Sequence, residues 1–323
     1  MSQDHSLQQA KEIILAGGVV AMPTETVYGL AASIRSEEGL KKIFAIKERP
    51  FFDPLIVHIC ELEQKNQVVR EWPKEAQALA EAFWPGPLTM VLPKNPTIPS
   101  LITSGLDTVG VRMPKHPLAL QLIDLCRIPL AAPSANKFGK TSPTKADHVH
   151  KSFDKDGLFV LDGGQSEVGL ESTVISIGEQ SGKRTIFILR PGAITAEMIQ
   201  TALQGKNLQA EVLRTQSNAS PGHTEHHYMP SVPLLILEKE AHSLSQKQRQ
   251  IIAQDFGVDV NAVASELRLD RNPKLAAREL YARMRECAES GAEYIYVIKH
   301  AEQSGGVWDA IWDRLQRASS RVY

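Results

Sequence analysis

The sequence has few cysteines, no surplus of either charge and no long apolar run. Only three of its 323 residues are cysteine, and Cys60, Cys126 and Cys287 form neither a Cys-x-x-Cys metal pair nor an even disulfide set. No apolar run reaches about 18 residues, and the N-terminus lacks the basic-then-apolar pattern of a signal peptide. We therefore expect no membrane span and a protein that works in a reducing cytoplasm.

The charge balance excludes another class. The chain carries 36 basic and 37 acidic residues, for a net charge of -1, which argues against a protein devoted to nonspecific nucleic-acid binding. The Gly-x4-Gly-Lys-Ser/Thr, Gly-x-Ser-x-Gly and His-Glu-x-x-His signatures of nucleotide and hydrolase sites are also missing. What remains is an ordinary globular composition in a chain long enough for one large and one small domain.

Hydrophobic periodicity divides the chain into three regions. In residues 1–205 several strands follow one another without an intervening helix, which predicts a mixed sheet. Residues 206–231 are polar and aperiodic and are predicted to form a linker. In residues 232–323 strands and helices alternate, which predicts a small α/β domain with a parallel sheet.

The segment from Lys47 to His58 is the most informative. Lys47 and Arg49 precede Pro50, which favours extended geometry at Arg49, so both cations are predicted to face the same side. The following strand, residues 54–60, is apolar on both faces yet carries His58. This pattern favours an anion pocket, while a solvated helix end for the cations and an ordinary core histidine remain alternatives.

Other polar groups follow strand ends, where α/β proteins commonly bind ligands. Arg112 lies inside an apolar strand, and a buried charge needs either a ligand or a partner. Ser134 and Asn136 occupy a turn suited to cradling phosphate, although hydroxyl-rich turns also satisfy their own backbone. The linker histidines lack the accompanying cysteine or carboxylate pattern of a zinc site. The residues alone thus predict a pocket for a small, phosphate-bearing anion, without naming a reaction.

The order of the motifs is more specific, because it resembles the YrdC-type threonylcarbamoyl-AMP synthases in their longer two-domain form. The matching segments are Pro23-Thr-Glu-Thr-Val-Tyr-Gly-Leu30, Lys47-x-Arg49-Pro50, Pro54-Leu-Ile-Val-His58, Trp84-Pro-Gly-Pro-Leu-Thr89, Val111-Arg-Met-Pro114, Pro133-Ser-Ala-Asn136, Ser142-Pro-Thr144, Asp162-Gly-Gly164, Glu171-Ser-Thr-Val174 and Arg190-Pro-Gly192. In the linker, Ser220-Pro-Gly222 and His227-Tyr228-x-Pro230 resemble the connecting segment of the longer form.

The resemblance implies a three-layer α/β domain with a twisted mixed sheet, followed by a small Rossmann-like C-terminal domain. It also implies an L-threonylcarbamoyladenylate synthase, a nucleotidyltransferase of tRNA processing. Such an enzyme uses L-threonine, bicarbonate and ATP and releases pyrophosphate, and a separate machinery then transfers the threonylcarbamoyl group to tRNA. Mg²⁺ is expected with ATP, without a dedicated metal site or an organic cofactor. Neither the oligomeric state nor direct tRNA binding is predicted.

The family pattern also assigns residues. Catalysis falls to Lys47 and Arg49. L-Threonine binding is assigned to Thr26, His58, Arg112, Ala132 and Ser172. ATP binding is assigned to Lys47, Arg49, Asp53, Thr108, Ser134, Asn136, Ser142, Arg190 and Tyr228, with Tyr228 expected to close over the pocket.

Three departures from the family pattern stand out. His226 replaces a basic residue before the His-Tyr pair, so linker contact with the triphosphate is expected to be weaker or pH-dependent. Asp53 replaces a common asparagine, which places an anion beside the expected phosphates. Phe138 replaces a small residue and is expected to narrow the way into the pocket.

Two other functions are alternatives. An RNA-binding module without adenylate-forming activity would use the pocket as a docking face, but the sequence lacks interleaved aromatic and basic residues. A carbamoyl-transfer protein of hydrogenase maturation contains a similar domain, but it would add Cys-x-x-Cys pairs and an acylphosphatase segment, which this sequence lacks.

Overall fold

The computed structural model describes residues 3–153, 157–215, 227–237 and 245–322. The chain divides into two compact units. The first comprises Met1–Phe138 and Ser142–His223, and the second comprises Gly139–Thr141 and Thr224–Tyr323. The predicted linker at 206–231 differs from the structure in one respect, because residues 211–214 form a strand of the first unit.

The first unit is a sheet with helices on both faces. Its helices are α1 Gln3–Leu15, α2 Glu37–Lys47, α3 Lys65–Val68, α4 Lys74–Phe83, α5 Ser100–Thr103, α6 Pro117–Cys126, α7 Ala146–Phe153 and α8 Ala196–Gln204, with a 3-10 turn at Leu62–Gln64. Its strands are β1 Val20–Met22, β2 Gly29–Ser33, β3 Ile56–His58, β4 Leu88–Pro93, β5 Thr108–Arg112, β6 Leu130–Ala131, β7 Phe159–Val160, β8 Thr173–Gln180, β9 Lys183–Arg190 and β10 Glu211–Arg214.

Within the described residues these strands form one ten-stranded sheet in the order β10-β9-β8-β4-β5-β3-β6-β2-β1-β7. The sheet is mixed, as predicted: β3 pairs parallel with β5, whereas β3 and β6 are antiparallel. Successive side chains of β1 point to opposite faces of the sheet and pack in different cores. Val20 and Met22 join the core formed with α1 and α6, and Ala21 joins the core formed with α2 and α7. The predicted three-layer α/β fold is therefore confirmed.

The end of α2 corrects the predicted extended geometry of Lys47, which is the last residue of the helix. Ser36 caps the start of α2 as its sequence pattern indicates, and its side chain accepts a hydrogen bond from Gly39 N. At the other end the helix continues to Lys47, and Glu48 adopts the left-handed conformation with φ 55°. Arg49 N then donates to Phe44 O at 2.9 Å, a Schellman-type ending. The helix therefore ends in a left-handed turn at Glu48, before Pro50, and the side chains of Lys47 and Arg49 are both buried.

The second unit contains a parallel four-stranded sheet, in agreement with its alternating sequence. Its strands, in the order β12-β13-β11-β14, and its helices are β11 Leu234–Leu237, β12 Ala264–Glu266, β13 Tyr294–Ile298, β14 Arg321–Val322, α9 Gln246–Phe256, α10 Pro273–Glu289 and α11 Val307–Ala318. Across the described parts of both units, no helix is long and apolar enough to cross a membrane.

Candidate functional site

Lys47 is a buried cation held by main-chain oxygens. It is only 1 % exposed, and its Nζ donates to the carbonyl oxygens of Ser134 and Asn136. Within the described residues, no carboxylate lies within ion-pair distance of Nζ. Burial, and secondarily the charge of Arg49, holds the pKa of this ammonium well below its usual range. An anion bound beside Nζ would reverse that shift, so the geometry suits an anionic ligand.

Arg49, in contrast, has a carboxylate of its own. Its Nη2 lies 2.8 Å from Asp53 Oδ2, and both side chains are almost fully buried. The main chain adds two acceptors, since Nε donates to Asp53 O at 3.1 Å and Nη2 donates to Pro54 O at 2.9 Å. Asp53, whose negative charge was unexpected beside phosphates, is therefore the group that fixes the Arg49 guanidinium. Whether Asp53 also contacts nucleotide stays a prediction.

The turn after β6 delivers the predicted phosphate-binding residues to Lys47. β6 pairs with β3, and Ala132 N donates to Ile56 O at 2.9 Å, so the chain leaves the sheet beside the 54–58 segment. Ser134 and Asn136 follow, with their carbonyls on Lys47 Nζ. Phe138 N then donates to Lys47 O at 2.8 Å, which docks this loop on the C-terminal end of α2. Two sequence-distant motifs thus meet at one cation.

Arg112 is paired with a carboxylate that the sequence assignment missed. Its Nη2 lies 2.6 Å from Glu25 Oε2, and both side chains are less than 5 % exposed. Its Nη1 donates to Thr26 Oγ1 at 3.0 Å, and its Nε donates to Gly86 O at 3.3 Å. A polar loop after β1 and a strand 87 residues away in sequence therefore form one electroneutral group. The position of Arg112 in an apolar strand indicated that it needs a partner or a ligand. The sequence did not indicate which carboxylate pairs with it.

The turn that carries Thr26 has features of two alternatives, a loop that binds a ligand and a turn whose hydroxyls form hydrogen bonds with its own backbone. Thr24 Oγ1 donates to Val27 O at 2.7 Å, as expected for a turn that satisfies its own backbone. The Thr26 hydroxyl instead meets Thr24 Oγ1 at 2.8 Å and accepts from Arg112. Of the two threonines in the turn, Thr26 is therefore the one that contacts Arg112, the arginine predicted to bind L-threonine.

His58 lies beside Arg112 and is neutral. The β3–β5 register pairs the two residues, and His58 Nδ1 is 3.2 Å from Ile56 O. Burial, reinforced by the neighbouring Arg112 charge, lowers the pKa of His58 to about 3. At neutral pH the imidazole therefore adds no charge to the group around Arg112. The main-chain contact is what an ordinary core histidine makes, and its assignment to L-threonine stays a prediction.

Two further hydroxyls of the predicted site, those of Ser172 and Ser142, form buried hydrogen bonds. Ser172 Oγ lies 2.8 Å from Thr89 Oγ1 and accepts from Arg190 Nη2 at 3.2 Å. Arg190 also donates through Nη2 to Ser172 O at 3.1 Å, so the cation and the serine form one buried group. Ser142 Oγ donates to Glu171 Oε1 at 2.6 Å. Thr89 and Glu171 were not assigned from sequence, although both lie in motifs that carried the resemblance.

The remaining assigned residues are Thr108 in the first unit and Tyr228 in the second. Thr108 begins β5 and lines a small cavity together with Pro54, Thr89 and Gly110. Tyr228 belongs to the second unit, where it is 1 % exposed and its ring stacks on Tyr281 with centroids 5.8 Å apart. Its assignment to ATP stays a prediction. His223, His226 and the segment 220–222 lie outside the described residues.

No dedicated metal site emerges from the described residues, which contain no group of three or more histidine, cysteine or acidic side chains able to hold an ion. Two buried acids that contact predicted phosphate-binding residues are already engaged by them, Asp53 by Arg49 and Glu171 by Ser142. Glu48, which lies between Lys47 and Arg49, is exposed and pairs with Lys137. This donor set fits a Mg²⁺ ion held mainly by the oxygens of a bound triphosphate.

Comparison with known proteins gives matches along nearly the whole chain. The family described as Telomere recombination, whose model covers Sua5, YciO and YrdC proteins, matches residues 12–192. The family described as Threonylcarbamoyl-AMP synthase, C-terminal domain, matches residues 194–320.

Individual relatives agree with both family matches. The chain is 37 % identical to the threonylcarbamoyl-AMP synthase of Pyrococcus abyssi, over 98 % of this chain and 95 % of that protein. It is 36 % identical to the Bacillus subtilis protein of the same name, over 98 % and 94 %. The crystal structure of Pyrococcus abyssi Sua5 with L-threonine superposes with a TM-score of 0.86 at 35 % identity, covering 100 % of this chain and 97 % of the other.

Proposed function

Because the chain belongs to the YrdC-type threonylcarbamoyl-AMP synthase family, we propose that it joins L-threonine, bicarbonate and ATP into threonylcarbamoyl-AMP. Pyrophosphate is the second product. The full-length relatives bear the name of this enzyme, and the superposed Pyrococcus abyssi structure holds L-threonine.

The observation that carries the proposal is the buried ammonium of Lys47. Desolvating a charge without a counterion costs several kcal/mol, so a buried cation held only by carbonyl oxygens is poorly compensated in the ligand-free protein. The phosphates of ATP would supply the missing negative charge. Arg49, fixed by Asp53, adds a rigid guanidinium two residues away in sequence.

The reaction requires positioning and charge neutralisation more than covalent catalysis. The ammonium of L-threonine first releases a proton to solvent, and the resulting amine combines with bicarbonate to give a carbamate and water. A carbamate oxygen then attacks the α-phosphorus of ATP, and pyrophosphate leaves. In this scheme Lys47 and Arg49 neutralise phosphate charge, the 134–136 turn and Ser142 bind phosphate oxygens, and Arg112 binds the substrate carboxylate. Mg²⁺ would arrive with the triphosphate and neutralise further charge there.

The β3 strand explains how the two reactants would meet. Its flanking residues Asp53 and Pro54 hold Arg49, and its last residue, His58, lies beside Arg112. The strand's backbone also orders the β6 turn that meets Lys47. One short strand therefore organises the proposed phosphate-binding and threonine-binding groups.

The direct test is to incubate the purified protein with labelled bicarbonate, L-threonine and ATP and to look for labelled threonylcarbamoyl-AMP. We expect product and pyrophosphate only when all three substrates are present, and we expect Lys47→Ala or Arg49→Ala to abolish both. Lys41→Ala is the matched control, since Lys41 lies on α2 and its side chain is 64 % exposed. Near-normal turnover by Lys47→Ala and Arg49→Ala would refute their phosphate role.

The proposal also concerns the next step of the product, the location of the protein and an alternative function. Threonylcarbamoyl-AMP is an activated acyl donor, so a separate machinery would transfer its threonylcarbamoyl group to tRNA. A reducing cytoplasmic location is supported by three free cysteines. Affinity for RNA with a steep salt dependence, without pyrophosphate release, would instead favour an RNA-binding module.

A further inference from the structure

Glu25 has one carboxylate oxygen that no donor of the described residues reaches. The side chain is buried, and its Oε2 faces Arg112 Nη2 at 2.6 Å and accepts from Lys115 N at 2.9 Å. Its Oε1 is also buried, yet it has no hydrogen-bond partner in the described parts of the chain. An unsatisfied buried carboxylate oxygen is costly, and native proteins seldom retain one without a reason.

The side chains next to Glu25 do not supply a positively charged donor to its Oε1. Arg112 faces Glu25 Oε2 through Nη2 and donates to Thr26 Oγ1 through Nη1 and to Gly86 O through Nε, and none of these contacts reaches Glu25 Oε1. His58, the neighbour of Arg112 across the strands, is uncharged at neutral pH because burial lowers its pKa to about 3. Neither side chain therefore supplies a cation to Oε1.

The Glu25–Arg112 pair thus presents one negative and one positive group side by side in a buried, electroneutral setting. A free α-amino acid carries the complementary arrangement, an ammonium and a carboxylate attached to the same carbon. A ligand with only one of these charges would leave either Glu25 Oε1 or the guanidinium without its counterpart.

We propose that Glu25 is a substrate-binding residue whose Oε1 accepts hydrogen bonds from the ammonium of L-threonine, while Arg112 binds its carboxylate. This inference rests on the proposed function and extends it to the nitrogen that reacts. Glu25 would fix that nitrogen at a defined point beside Arg112, which orients it toward the incoming bicarbonate. The pair would also discriminate amino acids from hydroxy acids of the same size.

Binding measurements can separate this role from a purely structural one. L-Threonine and 3-hydroxybutyrate, which lacks the ammonium, are titrated into the wild-type protein and into Glu25→Gln. In the wild type, loss of the ammonium should weaken binding about tenfold or more, as expected for a charged hydrogen bond. In Glu25→Gln the two ligands should bind within about threefold of each other, because the group that distinguishes them is gone.

L-Threoninamide completes the design, since it keeps the ammonium and lacks the carboxylate charge. Glu25→Gln should weaken L-threonine and L-threoninamide by similar factors and leave 3-hydroxybutyrate almost unaffected. Equal weakening of all three ligands would show that Glu25 only supports Arg112, and would overturn the inference. So would wild-type protein that binds 3-hydroxybutyrate as tightly as L-threonine, a result that remains decisive even if Glu25→Gln does not fold. Failure of the wild type to bind L-threonine at all would refute the proposed function instead.

Discussion

Lys47, at the end of α2, and Arg112, at the end of β5, are both buried cations of the first unit, but of the two only Arg112 has a carboxylate partner among the described residues. Glu25 lies 2.6 Å from the Arg112 guanidinium, whereas Lys47 Nζ rests on two carbonyl oxygens. The first arrangement is neutral and suits a zwitterion, and the second suits a ligand with excess negative charge. The difference teaches that burial alone does not identify an anion site, because the partner already present decides what can still bind.

Removing the Lys47 charge tests this comparison most strongly. We expect Lys47→Met to lower kcat/KM for threonine- and bicarbonate-dependent pyrophosphate release by about a hundredfold or more, as for the loss of a buried transition-state donor. We also expect it to be less destabilising than Arg112→Met by about 2 kcal/mol, because no carboxylate is orphaned. Activity assays and urea denaturation measure the two effects. Equal destabilisation by both substitutions would remove the proposed distinction.

Breaking the Glu25–Arg112 pair should have the largest effect on folding. Arg112→Met leaves a buried carboxylate unpaired and should lower the free energy of unfolding by about 3–5 kcal/mol. Adding Glu25→Gln should restore part of that loss, which a double-mutant cycle in urea would detect. Arg127→Met is the matched control, because its pair with Asp124 is exposed and is worth at most about 1 kcal/mol. Strictly additive effects of the two core substitutions would show that the pair is not coupled.

Asp53→Asn sharpens the comparison, because it converts Arg49 from a paired cation into one held by carbonyl and amide oxygens, as Lys47 is. We expect a loss of about 1–3 kcal/mol in the free energy of unfolding, the cost of weakening a charged hydrogen bond. Pyrophosphate release should survive, since Nε and Nη2 keep their main-chain acceptors at residues 53 and 54. Loss of activity as complete as in Arg49→Ala would mean that Asp53 contacts the substrate itself.

His58 should produce the smallest effect, a pH dependence of stability. Its pKa is about 3 in the folded protein and about 6.5 when unfolded, so the unfolded chain binds more protons between these values. The stabilisation is therefore complete above pH 6.5 and is lost as the pH falls toward 3. From pH 7 to pH 5 this amounts to roughly 1–2 kcal/mol.

Urea denaturation of wild type and His58→Gln at both pH values isolates the contribution of His58. His150→Gln is the control, because His150 lies on the exposed face of α7. We expect the wild type and the control to lose stability in parallel on acidification, and His58→Gln to lose less. Parallel loss in all three proteins would contradict a buried neutral imidazole.

Much of the fold followed from the sequence, because strand-rich periodicity and helix caps are local signals. The mixed sheet of the first unit and the parallel sheet of the second unit were both predicted. The extended geometry at Lys47 was wrong, since α2 continues to that residue and ends in a left-handed turn at Glu48. Strand β10 was missed because Glu211–Arg214 is short, polar and at the edge of the sheet.

The sequence by itself determined which charged and hydroxyl groups exist and in what order, and this order was enough to indicate the family. The tertiary structure decided which of them are already satisfied. Asp53 reaches Arg49 within one turn of chain, whereas Glu25 reaches Arg112 only because the sheet brings residues 87 positions apart to 2.6 Å. Electrostatic pairing depends on distance in space and on burial, and neither can be read from separation along the chain. For that reason only the structure could reveal that, within the part of the chain it describes, Lys47 has no carboxylate partner and Glu25 Oε1 has no hydrogen-bond donor.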